Sequence, residues 1–318
     1  METANRTEVR EFILVGFRVG QQERLLLLIF FTILYLFAVA ENLTIILLVF
    51  LDTHLAQLPM YILLSNFSWL EICYLSSIVP RMLFDLPSPH RVISFHSCFL
   101  QFYFFFSCGN TECFFLSAMA LDRYLAICHP LRYPQLMSKD SCYTLVVACW
   151  VGGLLWYLFP VVLISKMSFC GSNIIDHFLC DPGPILSLAC PPLGITPYIF
   201  QVFMNTVCVG NVLFIVLSYG NVIFTLMKTS NRGSRKKGFS TISMHLVVVT
   251  IFYGSGSGMY LSAGSENPTE VTKAITLFYT SITPSLNPMI YCLRNDQVKE
   301  ALGNLRRTMI LPRRKVLV

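Results

Sequence analysis

The sequence predicts an all-α membrane protein, a seven-transmembrane helix bundle with a short cytoplasmic amphipathic helix after the last span. Of the 318 residues, 55% are hydrophobic and only 13% are charged, whereas soluble domains carry about 25% charged residues. Seven apolar runs are long enough to cross a hydrocarbon core, which takes roughly 20 helical residues. Both observations indicate a multi-span protein surrounded by membrane lipid, with no nucleic acid among its partners.

The chain divides into a polar N-terminal region, 1–24, a membrane bundle, 25–293, and a C-terminal region, 294–318. The predicted spans, numbered one to seven in chain order, cover residues 25–50, 59–86, 98–128, 142–165, 198–227, 239–261 and 271–293. No continuous apolar core of a cleavable signal peptide precedes span one, so this span should act as its own insertion signal. Asn5 begins an Asn-Arg-Thr glycosylation sequon in the N-terminal region.

The distribution of lysine and arginine predicts a plasma-membrane protein with an extracellular N-terminus and a cytoplasmic C-terminus. Basic residues cluster in the connections after spans three and five and in 294–318. The opposite side mixes basic with acidic residues, and short cytoplasmic segments characteristically carry the excess of lysine and arginine. Residues 294–307 are expected to form an amphipathic helix on the inner surface, followed by a basic tail.

Four cysteines lie on the side predicted to be oxidising, namely Cys98, Cys170, Cys180 and Cys190. An even number on this side suits two disulfide bonds, and the sequence leaves three pairings open. The other eight cysteines lie in or near spans, where they are interpreted as small buried hydrophobic residues. His177 and Cys180 have a metal-like spacing, but a disulfide at Cys180 is the better interpretation, and we expect no metal site.

One face of span three has the composition expected of a ligand-binding wall. The residues on or beside this face are Phe102, Phe105, Phe106, Gly109, Asn110 and Cys113. Side chains expected to face the same space are Tyr253, Ser257 and Tyr260 on span six, and Tyr279 or Thr280 on span seven. The alternative is that the phenylalanine residues contact lipid or a neighbouring helix. No carboxylate lies in the outer part of span three, so a small, mostly apolar ligand fits better than a charged amine.

Two carboxylic acids, Glu71 and Glu112, lie within apolar spans, with Asn42 and Asn287 as expected neighbours. Two buried carboxylates cannot both ionise cheaply. The cluster therefore holds either a shared proton or a cation such as sodium between the two acids. Glu41 faces either this cluster or lipid, and the sequence does not decide between them.

An ordered set of short motifs extends along the whole chain. The motifs are Pro59-Met-Tyr, Ala118-Met-Ala-Leu-Asp-Arg-Tyr-Leu-Ala-Ile-Cys128, Ser218-Tyr219, Lys237-Gly-Phe-Ser-Thr241 with His245, Phe252-Tyr253-Gly254, and Pro284-Ser-Leu-Asn-Pro-Met-Ile-Tyr291. In this order they resemble a rhodopsin-like G-protein-coupled receptor, and within that class an odorant receptor of the tetrapod-type subclass. The chain departs from the usual family pattern at Glu41, where glycine is usual, and at Glu71, where aspartate is usual.

This resemblance implies a receptor rather than an enzyme, one that binds a small, mostly apolar volatile odorant within the bundle. It implies coupling to a stimulatory olfactory-type G protein that raises cyclic AMP, and an allosteric sodium site near Glu71 and Glu112. It also implies disulfides between Cys98 and Cys180 and between Cys170 and Cys190. The residues it assigns to coupling and switching are Asp122, Arg123, Tyr124, Tyr219, His245 and Tyr291. The expected switch is an outward motion of span six, helped by the glycine-rich stretch 254–258.

Two other classes of membrane protein are weighed against a receptor. A transporter usually has two related halves with broken helices, and the sequence has no internal repeat. An intramembrane enzyme needs a catalytic set, and neither a His-Glu-x-x-His nor a Gly-x-Ser-x-Gly motif occurs. Apart from the sodium ion, no cofactor is expected.

Overall fold

The computed structural model describes residues 9–170, 172–262, 268–294 and 297–303, and within them the chain forms a seven-helix bundle. Spans one to six are the helices Gln21–Leu51, Pro59–Asp85, Phe95–Cys128, Lys139–Ser165, Thr196–Lys228 and Arg232–Ser262. Each of these helices is long and apolar enough to cross a membrane. Span seven consists of Pro268–Leu277, Phe278–Ile282 and Thr283–Arg294, and a further helical segment lies at 297–303.

Span three lies at the centre of the bundle, where it packs against spans two, four, five and six. Its buried residues therefore face protein on most sides, whereas large apolar side chains of spans one, four and five are exposed to the membrane. This arrangement confirms the predicted fold class. It also places the proposed ligand-binding face of span three inside the bundle.

Span six begins earlier than the sequence analysis predicts. The predicted basic connection before residue 239 is wrong, because the helix begins at Arg232 and includes these basic residues in its first turns. Asn231 explains the early start, since its Oδ1 accepts hydrogen bonds from the backbone N–H groups of Gly233 at 2.9 Å and Ser234 at 3.1 Å. A side-chain oxygen at this position satisfies N–H groups that have no partner within the helix.

Span seven is not a uniform α-helix. Residues Phe278–Ile282 form a π-helical turn, which ends with the N–H of Thr283 bonded to the carbonyl of Phe278. Pro284 follows immediately, and proline has no N–H to donate to the carbonyl four residues earlier. The local change from α to π hydrogen bonding accommodates this missing donor.

A three-stranded sheet covers one end of the bundle. Its strands are β1 (Glu11–Leu14), β2 (Val92–Ser94) and β3 (Ile174–Ile175). Strand β1 lies in the middle, antiparallel to β2 and parallel to β3. Phe12 and Leu14 point into the core, which the description of 1–24 as a polar region missed. The sheet joins the N-terminal region to the connections after spans two and four.

Both disulfides that the resemblance implies are present at this end, which we call the disulfide end. Cys98 at the start of span three is bonded to Cys180 in the connection after span four. Cys170 and Cys190 close a loop within that same connection. The two bonds hold this connection across the mouth of the bundle.

An ion-pair network adds a third link at the disulfide end. Asp176, next to β3, accepts a hydrogen bond from the Nζ of Lys273 at 2.6 Å and another from Arg18 at 2.7 Å. The Lys273 side chain is fully buried, whereas that of Arg18 is 63% exposed. One carboxylate thus connects the N-terminal region, the connection after span four, and span seven.

His177 lies beside this network and is almost completely buried. Its Nδ1 accepts a hydrogen bond from the N–H of Leu179 at 3.3 Å. Burial, the largest cause, and the nearby Lys273 ammonium lower the pKa of His177 to about 3, whereas Asp176 acts in the opposite direction. The imidazole is therefore neutral in the folded protein at neutral pH.

Changing Asp176 to Asn should destabilise the helix bundle far more than changing Arg18 to Gln. The first change removes the carboxylate that balances a buried ammonium, which costs about 3 kcal/mol. The second removes an exposed pair, worth at most about 1 kcal/mol. Thermal unfolding of the purified variants measures both effects, and equal losses would contradict the assigned roles of the two pairs.

Acid should destabilise the wild-type protein more than a His177→Asn variant. An unfolded histidine has a pKa of about 6.5, so between pH 6.5 and pH 3 the unfolded state binds a proton that the folded state does not. Each pH unit in this window costs about 1.4 kcal/mol, or about 2 kcal/mol on going from pH 7 to pH 5. Other titrating groups are common to both proteins, so thermal unfolding at the two pH values isolates His177. Parallel pH profiles would show that His177 is not held neutral by burial.

Candidate functional site

A cavity of about 130 Å³ lies inside the bundle among spans two to seven. Span three contributes Phe105, Phe106, Gly109, Asn110 and Cys113 to its lining, and span six contributes Tyr253 and Ser257. A cavity of about 150 Å³ is large enough to hold benzene. The cavity is therefore close to the size that a single aromatic ring needs, and seven of its lining residues are aromatic.

Gly109 determines how much space remains at the centre of the cavity. A Cβ atom added at this position would lie 3.7 Å from the Tyr74 ring and 3.9 Å from the Tyr279 hydroxyl. These are ordinary van der Waals distances, so a methyl group fits without displacing its neighbours. A larger side chain would occupy the space that a ligand needs.

Two residues predicted to contact ligand do not line the cavity. Phe102 is fully buried and lies behind it, packed against Phe106 and Phe200 with ring centroids 5.1 and 5.8 Å apart. Thr280 is also buried and donates a hydrogen bond to the Leu277 carbonyl at 3.4 Å. Its neighbour Tyr279 lines the cavity instead, because the π-helical turn breaks the regular helical spacing.

The structure adds lining residues that the sequence analysis missed. These are Tyr74 on span two, Tyr157 on span four, Met204, Asn205, Val207 and Cys208 on span five, and Phe252 on span six. Phe252 belongs to the Phe252-Tyr253-Gly254 motif, whereas no motif or unusual spacing marks the other positions, whose role follows from how the spans pack. The side chain of Tyr260, which was predicted to contact ligand, lies outside the described residues.

Asn110 is a buried amide on the cavity wall. Its Nδ2 donates a hydrogen bond to the Gly153 carbonyl of span four at 3.4 Å. Spans three and four approach so closely here that a Cβ atom at Gly153 would collide with Thr111. Only glycine allows this approach, which brings the carbonyl within reach of Asn110.

The buried acids lie below the cavity. Asn287 Nδ2 donates to Glu71 Oε1 at 2.5 Å, and the carboxyl groups of Glu71 and Glu112 are close enough to interact. Asn42 is fully buried, with its Nδ2 bonded to the Ala38 carbonyl of its own helix at 2.9 Å. In the part of the chain that the structure describes, both acids and both amides have an oxygen atom without a hydrogen-bond partner.

The opposite end of the bundle, which we call the coupling end, contains the predicted switch residues. Arg123 is paired with the neighbouring Asp122, whose other oxygen accepts a hydrogen bond from the Tyr133 hydroxyl at 2.7 Å. Because Asp122 is completely buried, this arrangement provides the partners that a buried carboxylate requires. Arg123 is thereby bound within span three.

A second polar contact joins spans five and six at the coupling end. The Tyr219 hydroxyl lies 2.7 Å from His245 Nδ1, and both side chains are buried. The Tyr124 hydroxyl lies 3.1 Å from His129 Nε2, within a more exposed part of the same end. The side chain of Tyr291 lies outside the described residues.

Comparisons with known proteins identify the family. A profile of the olfactory receptor family matches residues 31–308. Human olfactory receptor 11G2 is 50% identical over 299 residues, which cover 94% of this chain and 86% of that receptor. This chain belongs to the olfactory receptor family. Human olfactory receptor 6B1 is 43% identical over 305 residues, covering 96% of this olfactory receptor and 97% of that one.

Squid rhodopsin shares the fold of this olfactory receptor. The two structures superpose with a TM-score of 0.72 over 93% of this chain and 84% of squid rhodopsin, at 16% sequence identity. The family and the fold together identify a multi-pass, odorant-sensing G-protein-coupled receptor, which is not an enzyme. Its partners are accordingly a small-molecule ligand and a G protein.

The same change, glycine to alanine, should alter ligand selectivity at Gly109 and protein stability at Gly153. At Gly109 the added methyl group fits, so the receptor should fold normally and lose responses to its larger ligands. At Gly153 the methyl group overpacks spans three and four, which costs about 1–3 kcal/mol and should lower surface expression. Surface staining and dose–response curves measure both outcomes. Normal expression of the Gly153 variant would contradict the close helix contact.

Proposed function

We propose that this olfactory receptor binds a small, mostly apolar odorant in the aromatic cavity and activates a stimulatory olfactory-type G protein, raising cyclic AMP. The observation that best supports this is the cavity itself, which has a mostly apolar wall, a few polar groups and a volume suited to a small volatile. In the described part of the lining there is no charged side chain, which favours a neutral ligand.

The proposed orientation in the plasma membrane has the disulfide end outside and the coupling end in the cytoplasm. The excess of lysine and arginine at the coupling end supports it. Disulfides form in oxidising compartments, which agrees with an extracellular location of Cys98 and its bonded partner. Residues 1–24 would then be extracellular, with Asn5, outside the described residues, as the expected glycosylation site.

Span six connects the cavity to the coupling end. Tyr253 lines the cavity and His245 contacts Tyr219, and eight residues of helix separate these positions by about 12 Å. A ligand that packs better when Tyr253 is displaced would favour a bundle in which span six has moved outward. Ligand can shift this equilibrium only by its difference in affinity for the two states.

Outward motion of span six would separate His245 from Tyr219 and open a cleft beside Arg123. Both side chains of the broken contact would then be available for new partners, including the Arg123 guanidinium. Arg123 would leave Asp122 and line the cleft that receives the G protein. We thus propose as coupling residues Asp122, Arg123 and Tyr124. The contact between Tyr219 and His245 would hold span six in its inactive position.

An Arg123→Ala variant should lose odorant-stimulated cyclic AMP while reaching the cell surface. Arg132→Ala is the matched control, because Arg132 is exposed at the same end and has no assigned role. Cells expressing each protein are screened with a chemically broad odorant panel, with surface expression measured in parallel. Full signalling by the Arg123 variant would contradict the switch, and a calcium response without cyclic AMP would contradict the choice of G protein.

We further propose that the buried acids bind a sodium ion that stabilises the inactive receptor. The supporting observation is a set of buried oxygen atoms without donors on Glu71, Glu112, Asn42 and Asn287. Hard cations prefer oxygen ligands of this kind. A shared proton between the two acids is the alternative.

Sodium should raise the melting temperature of the wild-type receptor relative to choline at equal ionic strength. A ligand that binds only the folded state stabilises it by RT ln(1 + [L]/Kd). Glu112→Gln removes one carboxylate and should abolish the sodium effect, whereas Glu300→Gln removes an exposed carboxylate and serves as the control. Equal melting temperatures in both salts would favour the shared proton.

A further inference from the structure

Only one of the two polar atoms of the Asn110 side chain has a hydrogen-bond partner among the described residues. Asn110 is 5% exposed, and its Nδ2 donates to the Gly153 carbonyl. A carbonyl can only accept a hydrogen bond, so the amide nitrogen must point towards span four. The Oδ1 atom is therefore the remaining group, and it has no donor among the described residues.

A buried acceptor without a donor is costly, and most such groups in folded proteins have a partner. Asn110 belongs to the cavity lining, so a ligand is well placed to supply the missing donor. Tyr253 offers a complementary group on the facing span. Its hydroxyl is buried beside the Cys113 thiol, which is only a weak hydrogen-bonding group.

The Asn110 oxygen and the Tyr253 hydroxyl require different hydrogen-bonding groups on a ligand. The Asn110 oxygen can only accept a hydrogen bond, whereas a tyrosine hydroxyl can donate one. A ligand hydroxyl satisfies both, since it donates to Asn110 and accepts from Tyr253. The oxygen of an ether, ketone or ester accepts from Tyr253 but leaves Asn110 without a donor.

The rest of the lining limits the body of the ligand. The described wall has no charged side chain that would pair with a carboxylate or an ammonium group. Aromatic rings such as Phe105, Phe106 and Phe252 form much of it, and aromatic pairs gain energy beyond their buried area. The volume of about 130 Å³ limits the ligand to a single ring with at most a small substituent.

We infer that this receptor selects small phenols and aromatic alcohols, with the ligand hydroxyl donating to Asn110 Oδ1 and accepting from Tyr253. This inference rests on the proposed function of the cavity as the odorant site. It is independent of which G protein the receptor activates. The apolar ring occupies the aromatic part of the cavity, and the hydroxyl confers selectivity.

The test measures binding to purified receptor in lipid nanodiscs without a G protein. Phenol and its three monomethyl derivatives are each compared with the corresponding methyl ether, which has the same ring and cannot donate. Ligand-dependent thermal stabilisation gives the two dissociation constants of each pair. We expect at least one of the phenols to bind, and to bind at least tenfold more tightly than its ether, because the ether leaves the Asn110 acceptor unpaired.

Variants separate a hydrogen bond from a change in shape. Asn110→Leu has a similar size and no acceptor, so the phenol and its ether should bind with about equal dissociation constants, a phenol-to-ether ratio of about one. Asn110→Ala replaces this variant if the leucine variant does not fold. Asn221→Leu is the matched control, because Asn221 is an exposed asparagine of span five outside the described cavity lining, and the ratio should persist. Tyr253→Phe should weaken phenol and ether equally and leave the ratio unchanged.

Three results would overturn the inference: no phenol of the set binds, ethers bind as tightly as phenols, or the preference survives at Asn110→Leu or Asn110→Ala. Cells expressing the receptor are then treated with the phenol that binds most tightly. Selective binding without cyclic AMP would support the inference and contradict the proposed coupling. Cyclic AMP responses to ethers and ketones alone would overturn the inference and support the coupling.

Discussion

The close contact between spans three and four at Gly153 determines the geometry of the cavity that is proposed to bind odorant. A side chain at this position would collide with Thr111, so the absence of a Cβ atom allows the two helices to approach. The approach brings a backbone carbonyl to the Asn110 amide and thereby orients the amide oxygen. Membrane helices pack through small residues because lipid provides no hydrophobic force between them. One glycine thus links helix packing to the chemistry of the ligand site.

The two ends of the bundle are built differently, which suits a receptor that must hold one end and move the other. The disulfide end has two covalent bonds, a three-stranded sheet and the Asp176 ion pairs. At the coupling end, spans five and six share the hydrogen bond between Tyr219 and His245. Hydrogen bonds of this kind contribute about 1 kcal/mol, which an odorant of modest affinity can offset.

The sequence predicts the fold and the family because long apolar spans and ordered motifs are local signals. Residues with distinctive chemistry, such as Asp122 and Arg123, are likewise recognisable without coordinates. The wrong predictions have specific causes. Strand β1 was missed because the short region that contains it was described only by its overall polarity. Span six begins earlier than predicted because the side chain of Asn231 caps it. Tyr279 or Thr280 was predicted to face the cavity, and the structure places Tyr279 there, within the π-helical turn before Pro284. Lining residues such as Tyr157 are defined by packing, which a single sequence does not contain.

The central claim is that odorant in the cavity moves span six outward at the coupling end. The most direct measurement is the distance between spin labels at Leu131 and Ser234, two exposed positions at that end, with and without an odorant that raises cyclic AMP. The labels are introduced by genetically encoded residues, because seven free cysteines occur among the described residues. The account predicts a population at longer distance that grows with odorant occupancy. An unchanged distance distribution in a receptor that signals would contradict it.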